Sequence, residues 1–445
     1  MKSIKGVYSF ALTMTMSGFI SISYGLTDIL MVAPLGIEYV SNVGLGETIY
    51  LALLVLGIGA VDIFTSKYSK QNNFDSISYS LLIYTILNLL IWWFICLTIT
   101  AFVPVFLDHF GYDYGMVNGV SSYLSIRALG MFFHFPLLVT LSVLRIVGEK
   151  SLTVKLLIAG AILNATLNYI LLYSELFSDN LLSPEELIAL SSFITVGITS
   201  LAAVICSKKL VKIDNRKNRS IHQLKEMVGA SASISFWNLS DYLVSIVALL
   251  VLAKINMNLL PSIVLAFRVM STFYRLPQGF CDALLHYFSR YSSTTKDYDS
   301  RVNFLKRFYY NSLCFCLPII LLVVIFSALY CLFFVNDSEF SAQAFFLVVL
   351  TQALFFPFYL AQHFASQALI VIDRHSSVSK FSSATYYLFC IPLILLVGWL
   401  SLDFILIVVI AELALVINYY LFAKDYKSVR PTLIETGNAE GRDVY

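Results

Sequence analysis

The chain has 445 residues, 59% of them hydrophobic and only 13% charged, with a formal net charge of +2. Soluble domains carry about 25% charged residues, so this composition is that of a membrane protein. No polar stretch is long enough to form a separate catalytic domain, and the net charge by itself points to no class of partner.

Apolar runs of roughly 20 residues, each able to cross a hydrocarbon core of ~30 Å, recur along the chain. They are read at 7–34, 46–66, 78–106, 121–147, 152–174, 185–207, 227–253, 258–290, 308–335, 340–372, 380–401 and 403–423. Each is expected to be helical, because backbone groups in lipid must be satisfied within the segment. The fold class expected is therefore all-α, a polytopic membrane protein of twelve spans. The first run is too long for a signal-peptide core and lacks an obvious cleavage site, so it is read as the first span. The seven cysteines lie mostly within apolar runs without metal-ligand spacing, and are read as reduced small hydrophobes.

Charge sets the orientation. With the N-terminus inside, all of the 29 Lys and Arg except Arg127, Lys254, Arg268 and Arg275 fall at inner loops, inner helix ends or tails. The loop at 208–226 is the most basic, whereas the expected outer loops at 107–120, 175–184 and 336–339 carry Asp108, Glu175 and Asp337. This is the positive-inside pattern, and it places both termini in the cytoplasm, with the chain in a cell inner (plasma) membrane.

The basic loop divides the chain almost in half, into 1–207 with spans 1–6 and 227–425 with spans 7–12, followed by a polar tail at 426–445. Leu26-Thr27-Asp28-Ile29-Leu30 matches Leu239-Ser240-Asp241-Tyr242-Leu243. Gly59-Ala60-Val61-Asp62 matches Gly279-Phe280-Cys281-Asp282, and Ser151 and Lys155 match Ser376 and Lys380. The offsets of 213, 220 and 225 rise in order, which points to a duplicated 6+6 bundle. Two pseudo-symmetric lobes in a V around a central cavity are the expected architecture.

Acids within spans are costly, roughly 2.5–3.5 kcal/mol on insertion scales, so they face the bundle interior and usually have a role. Asp28 of span 1 lies at a depth similar to Asn168 of span 5, with Asn164 one turn away on the same face. A carboxylate with two amide carbonyls suits a hard cation such as Na⁺, or a proton held among amide hydrogen bonds. The alternative is that the asparagines only join helices. Asp241 of span 7 is at a depth comparable to Tyr359, Gln362 and His363 of span 10, a second candidate for proton exchange or for a plain interhelical bond. Asp62 and Asp282 are read as gate or loop contacts, Glu412 has no evident partner, Arg127 and Arg268 are read as snorkelling, and His134 as a packing residue. Aromatic residues, 15% of the chain, are read by default as facing lipid or its interfaces. No phosphate-binding loop, metal-ligand cluster or nucleophile–base spacing is present in the sequence, so no enzyme chemistry and no cofactor are expected, and the energy source is read as an ion gradient.

These residues resemble the multidrug and toxic compound extrusion (MATE) family, in the superfamily that also holds polysaccharide and lipid-linked-oligosaccharide flippases. The resemblance rests on Thr27-Asp28-Ile29-Leu30-Met31-Val32 with Leu35-Gly36, on Leu144-Arg145-Ile146-Val147-Gly148-Glu149-Lys150, on Asn164-x-x-x-Asn168-Tyr169-Ile170, and on Val247-Ala248-Leu249-Leu250-Val251. It implies a secondary antiporter that exports organic compounds, cationic or neutral and amphipathic, in exchange for H⁺ or Na⁺ by alternating access. Asp28 would be the coupling carboxylate, with Asn164 and Asn168 as partners and Thr195 or Thr199 of span 6 completing the site. Sodium-coupled relatives place a Glu near Ser240 and an Asp near Tyr359; this sequence departs from that pattern, which shifts coupling to the first half. The implied partners are a small organic substrate and the bilayer, with no nucleic acid, and the chain is expected to be a monomer. The competing reading is a flippase of a lipid-linked oligosaccharide, which would want a cluster of Arg or Lys to hold a pyrophosphate.

Overall fold

A computed structural model describes residues 11–428 except 13–14, 17–19, 21–23, 70–75, 175–181, 211, 215–220, 275, 296, 334–340 and 373. The side chains of Asp62, Asp241 and Asp282, Arg275, and most of the expected outer loops at 175–184 and 336–339, lie outside the described residues. The described chain is almost entirely helical. A short apolar helix, α1 (Tyr24–Leu35), precedes α2 (Ile37–Ser69), α3 (Tyr79–His109), α4 (Tyr114–Val147), α5 (Lys150–Tyr173) and α6 (Pro184–Leu210). Then come α7 (Ile221–Ile255), α8 (Leu260–Phe273), α9 (Leu276–Thr294), α10 (Tyr298–Phe333) and α11 (Ala342–Val371). A last composite span joins α12 (His375–Ser383), a π-helical segment (Ala384–Cys390) and α13 (Ile391–Trp399), and α14 (Phe404–Ser428) closes the described fold.

Eleven helical stretches among the described residues are long and apolar enough to cross a membrane, and α1 adds a shorter one. The protein is an integral membrane protein of the all-α class. Three expectations need correction. Helix α2 begins at Ile37 rather than 46, and α4 at Tyr114 rather than 121, because polar helix ends continue a helical ladder beyond the apolar run that marks a span. The span at 258–290 is broken into α8 and α9 around Tyr274, just before Pro277, whose ring cannot continue a helix ladder. The basic loop at 208–226 is not all loop: Lys212–Asp214 forms a strand, β2, paired in parallel with β1 (Ser76–Ser78), in the register Ser76 with Lys212, Ile77 with Ile213 and Ser78 with Asp214. All seven cysteines are free thiols.

Local signals explain the turn that places α5. Gly148 adopts φ 102° after α4; Glu149 N–H donates to Leu144 and Gly148 N–H to Arg145, the left-handed glycine stop of a Schellman motif. At the other end Asp113 caps α4 by accepting from Met116 N–H at 3.0 Å. Helix α5 buries Thr153, Leu157, Gly160, Asn164, Asn168 and Leu171, a stripe at spacings of three and four, while Ile162 and Tyr169 on its other face are exposed.

The chain packs as two units, Ile20–Leu249 and Met1–Phe19 with Leu250–Tyr445. The basic loop is not where packing divides, because the ends of two spans are held by the other half of the sequence. In the second unit, Thr15 Oγ1 donates to the carbonyl of Leu276 at 2.9 Å, and a Cβ on Gly279 would strike Ala11 O and Thr15 N. In the first unit, Ser235 Oγ donates to the carbonyl of Leu56 at 2.5 Å, and a Cβ on Gly59 would strike Ser231 O and Ser235 Oγ. Every partner in one crossing is 220 residues from its counterpart in the other: Ala11 and Ser231, Thr15 and Ser235, Leu56 and Leu276, Gly59 and Gly279. Glycine is required at both places because only its bare Cα lets the helix backbones meet this closely.

Candidate functional site

The site in the first unit is built by α1, α5 and α6. Tyr24 fixes α1 on α5, its hydroxyl donating to the carbonyl of Leu157 at 2.8 Å, and Gly160 leaves room for that hydroxyl. Asp28 lies one turn further on the same face of α1 and is wholly buried. Asn168 Nδ2 donates to Asp28 Oδ1 at 2.8 Å, and Ser192 Oγ of α6 donates to Asp28 Oδ2 at 2.7 Å. Asn164 Nδ2 reaches Ser192 Oγ at 3.3 Å, and Ser191 Oγ reaches the carbonyl of Asn164 at 3.3 Å, so α5 and α6 are stitched together beside the carboxylate.

Three buried oxygens of this group have no hydrogen-bond partner among the described residues: Asn164 Oδ1, Asn168 Oδ1 and Thr195 Oγ1. Orphaned buried acceptors carry a desolvation cost of roughly 1–3 kcal/mol each. They sit on the two helices that hold the carboxylate, and oxygens of this kind suit a proton or a small hard cation. Thr195 is wholly buried, one turn from Ser192 on α6, while Thr199 is one turn further along and meets the space above Gly160. The sequence-predicted residues Asp28, Asn164, Asn168, Thr195 and Thr199 thus share one face-to-face contact of three helices. Ser192, the hydroxyl that holds the carboxylate, was not among them.

A second polar group lies between α2 and α4. Arg127 Nη2 pairs with Glu47 Oε2 at 2.8 Å, and Tyr123 donates its hydroxyl to the same oxygen at 2.7 Å. The Arg127 guanidinium stands 4.0 Å over the ring of Tyr50, whose hydroxyl hydrogen-bonds His134 Nδ1 at 2.7 Å. Arg127 therefore does not snorkel: it is 5% exposed, because Glu47 and two aromatic faces replace its water. Arg268 is likewise buried, at 6% exposure. Both Arg127 and Glu47 act electrostatically on Asp28, so the three form one charge system. With all three ionised it carries a single net negative charge. Nearby, Asn42 donates to Glu185 at 2.9 Å in the first turn of α6, where the helix dipole favours an acid.

The residues proposed for the second half are distributed differently. Tyr359 meets His363 with ring centroids 4.4 Å apart, and stacks on Tyr274 at the same distance. Gln362 is buried with its Oε1 unpartnered among the described residues. Ser240 donates to its own helix at Phe236, at 2.9 Å. Asp241's side chain is outside the described residues. Glu412, without a partner in the sequence reading, accepts from Gln352 Nε2 at 3.1 Å.

Residues 14–170 match the MatE family model. A search among curated proteins gives no match. Among solved structures, the chain is similar to an inward-facing multidrug resistance MATE family transporter of the MOP superfamily, with a TM-score of 0.72 at 16% identity, over 93% of this chain and 96% of that one. It is similar to an outward-facing transporter of the same description at 0.68 and 17%, over 96% of each chain. It is also similar to a MOP superfamily transporter from Pyrococcus furiosus, described as having a binding pocket of reversed polarity, at 0.67 and 16% over 96% of each chain. Residues 14–170 thus match the MatE family model, and over more than nine-tenths of its length the chain shares the fold of these solved transporters.

Proposed function

We propose that this protein is a secondary transporter that exports small organic compounds in exchange for H⁺ or Na⁺, with Asp28 as the carboxylate that binds the coupling ion. The observation that carries this reading is the buried Asp28, held by Asn168 and Ser192 on helices that also bury three oxygens without a hydrogen-bond partner among the described residues. A proton or a monovalent cation supplies what those oxygens lack. Alternating access then follows from differential affinity: a ligand shifts a two-state equilibrium only by binding one state better than the other. Cationic or neutral amphipathic substrates fit a chain whose buried arginine at 127 is already neutralised by Glu47. The same pairing disfavours the flippase reading, because a pyrophosphate would need uncompensated cationic side chains. The two sequence repeats are read at 1–207 and 227–425, each lending the end of its first span to the other's packing, with both termini in the cytoplasm.

The test is transport by purified protein in liposomes. A panel of organic cations and neutral amphiphiles is offered under an imposed H⁺ or Na⁺ gradient. Accumulation that depends on one gradient supports the reading. Equal transport without either gradient, with the substrate's own gradient clamped, overturns it.

A further inference from the structure

The unit formed by Met1–Phe19 and Leu250–Tyr445 has one buried carboxylate among its described residues, Glu412, at 5% exposure. Gln352 of α11 donates to Glu412 Oε1 at 3.1 Å. The other carboxylate oxygen, Oε2, and the Oε1 of Gln352 are both buried and have no hydrogen-bond partner among the described residues. Two acceptors on one contact thus lack a single donor.

The position of this pair in the repeat is informative. Helix α14 starts at Phe404 and α6 at Pro184, an offset of 220, the offset of both helix crossings. On that offset Glu412 occupies the place of Ser192, the residue that holds Asp28. Ser376 and Lys380 follow α11 as Ser151 and Lys155 follow α4, an offset of 225, which sets Gln352 at the place of Arg127. Asp28 itself maps, at 220, onto Ala248 rather than Asp241; the two alternatives differ by seven residues, two turns of one helix face. The first unit thus carries its acid on α1 against α5 and α6, and the second carries one on α14, the counterpart of α6, against α11, the counterpart of α4.

The surroundings of Glu412 are irregular. The break between α8 and α9 falls inside the apolar stretch Met257–Cys281, and Tyr274 at that break donates its hydroxyl to the carbonyl of Gln352 at 2.5 Å. Broken backbone at membrane depth is found where a site needs it, with neighbours satisfying the freed groups. On the other side, the π-helical segment ends at Cys390, whose thiol donates to the carbonyl of Ile410, two residues before Glu412. Gln352, Phe356, Tyr359 and His363 lie along one face of α11, and Tyr274, Tyr359 and His363 form a continuous row of rings. His363, at the end of that row, is half-buried.

We propose that Glu412 is a second proton-binding site of this protein, its carboxyl closing on the amide of Gln352. Proton uptake converts the carboxylate to a carboxylic acid, and the new O–H on Oε2 donates to Gln352 Oε1 while Gln352 Nε2 continues to donate to Glu412 Oε1. Both orphaned oxygens are satisfied by one proton. Two oxygens are too few for a hard metal cation, which gathers about six or more. The titratable groups tied to the Glu412–Gln352 contact are Tyr274, whose hydroxyl donates to the Gln352 carbonyl, and Cys390, whose thiol donates to Ile410, with the Arg374–Asp425 pair towards the far end of α14.

Proton binding can be read without transport, so the test separates this proposal from the transporter reading on which its use in coupling rests. Infrared difference spectra of the purified protein are recorded across a pH range in H₂O and D₂O. The expected wild-type result is a deuterium-sensitive carbonyl band of a protonated carboxyl that persists in Asp28→Asn, disappears in Glu412→Gln and shifts in Gln352→Leu. Raised NaCl leaves that band unchanged. In liposomes Glu412→Gln lowers proton-driven transport about tenfold or more, while melting and membrane yield stay near wild type. A Glu412→Gln spectrum identical to wild type overturns the proposal, as does loss of the band on adding Na⁺. If the wild type transports nothing but the Glu412 band is present, the proton site stands and the transporter reading fails.

Discussion

Ser192 donates to Asp28 at 2.7 Å from a helix 164 residues away in sequence, and Asn168 holds the carboxylate's other oxygen. Among the described residues both hydrogen bonds to the acid come from neutral donors, and the nearby Arg127 is already paired with Glu47, so the charge of Asp28 is left without a cation of its own. Asp28→Asn preserves volume and hydrogen-bonding capacity but removes the charge. Its gradient-driven export in liposomes should fall to background, with wild-type membrane yield and melting temperature. Ser192→Ala removes one donor to the ionised oxygen, worth about 1.5 kcal/mol, so the concentration of coupling ion at half-maximal rate should change roughly tenfold. Wild-type export by Asp28→Asn would return Asn164 and Asn168 to a purely structural role.

Arg127 and Glu47 give a stability experiment that is independent of transport. Removing the cation alone, as Arg127→Met, strands a buried carboxylate and should cost about 3–5 kcal/mol. Glu47→Gln with Arg127→Met replaces both charges together and should recover most of that loss. Thermal unfolding in detergent, followed by light scattering, reads both. A double variant as unstable as Arg127→Met would show that the pair's charges are not the source of the cost.

Gly59 and Gly279 are predicted to behave alike. A Cβ at either would meet backbone atoms of the crossing helix, which cannot move aside as a flexible side chain can. Gly59→Val and Gly279→Val should each cost about 1–3 kcal/mol through overpacking. Gly229, with open space around it, is the control, and its substitution by alanine should be nearly neutral. Melting temperatures of the three variants decide the matter; a tolerant Gly279 beside a sensitive Gly59 would break the equivalence.

The legible part of this chain was what water and lipid sort by composition. Asp28 stood out because an acid in an apolar run is costly, and Asn164 and Asn168 because their spacing puts them on one helix face. Ser192 gave no such signal: a serine is ordinary in a membrane helix, and only the rotation of α6 selects it over its neighbours. Glu47 was missed for a geometric reason. It lies at the edge of the apolar run at 46–66, where a charge reads as a helix end, yet α2 starts at Ile37 and carries Glu47 ten residues inside. Arg127 was misread as snorkelling because its partner sits on another helix, and partners across helices leave no local pattern. The three-residue strands β1 and β2 are too short to show an alternation. The repeat was visible at Gly59 and Gly279, but its span-1 alignment at 213 differs from the 220 of the packing, since Leu-x-Asp-x-Leu recurs easily in apolar helices.

The matched helix crossings bear on how such a chain can be assembled. Each half of the sequence lends the end of its first span to the other, as two identical protomers do when they exchange an arm. A half-length ancestor with that habit would have been an arm-swapped homodimer, and fusing its two copies would have left the exchange in place. Neither half should therefore reach its full packing when made by itself. Fragments divided within 215–220 should be unstable when expressed singly, and should co-purify as one particle when expressed together, each restoring the borrowed helix end that the other lacks.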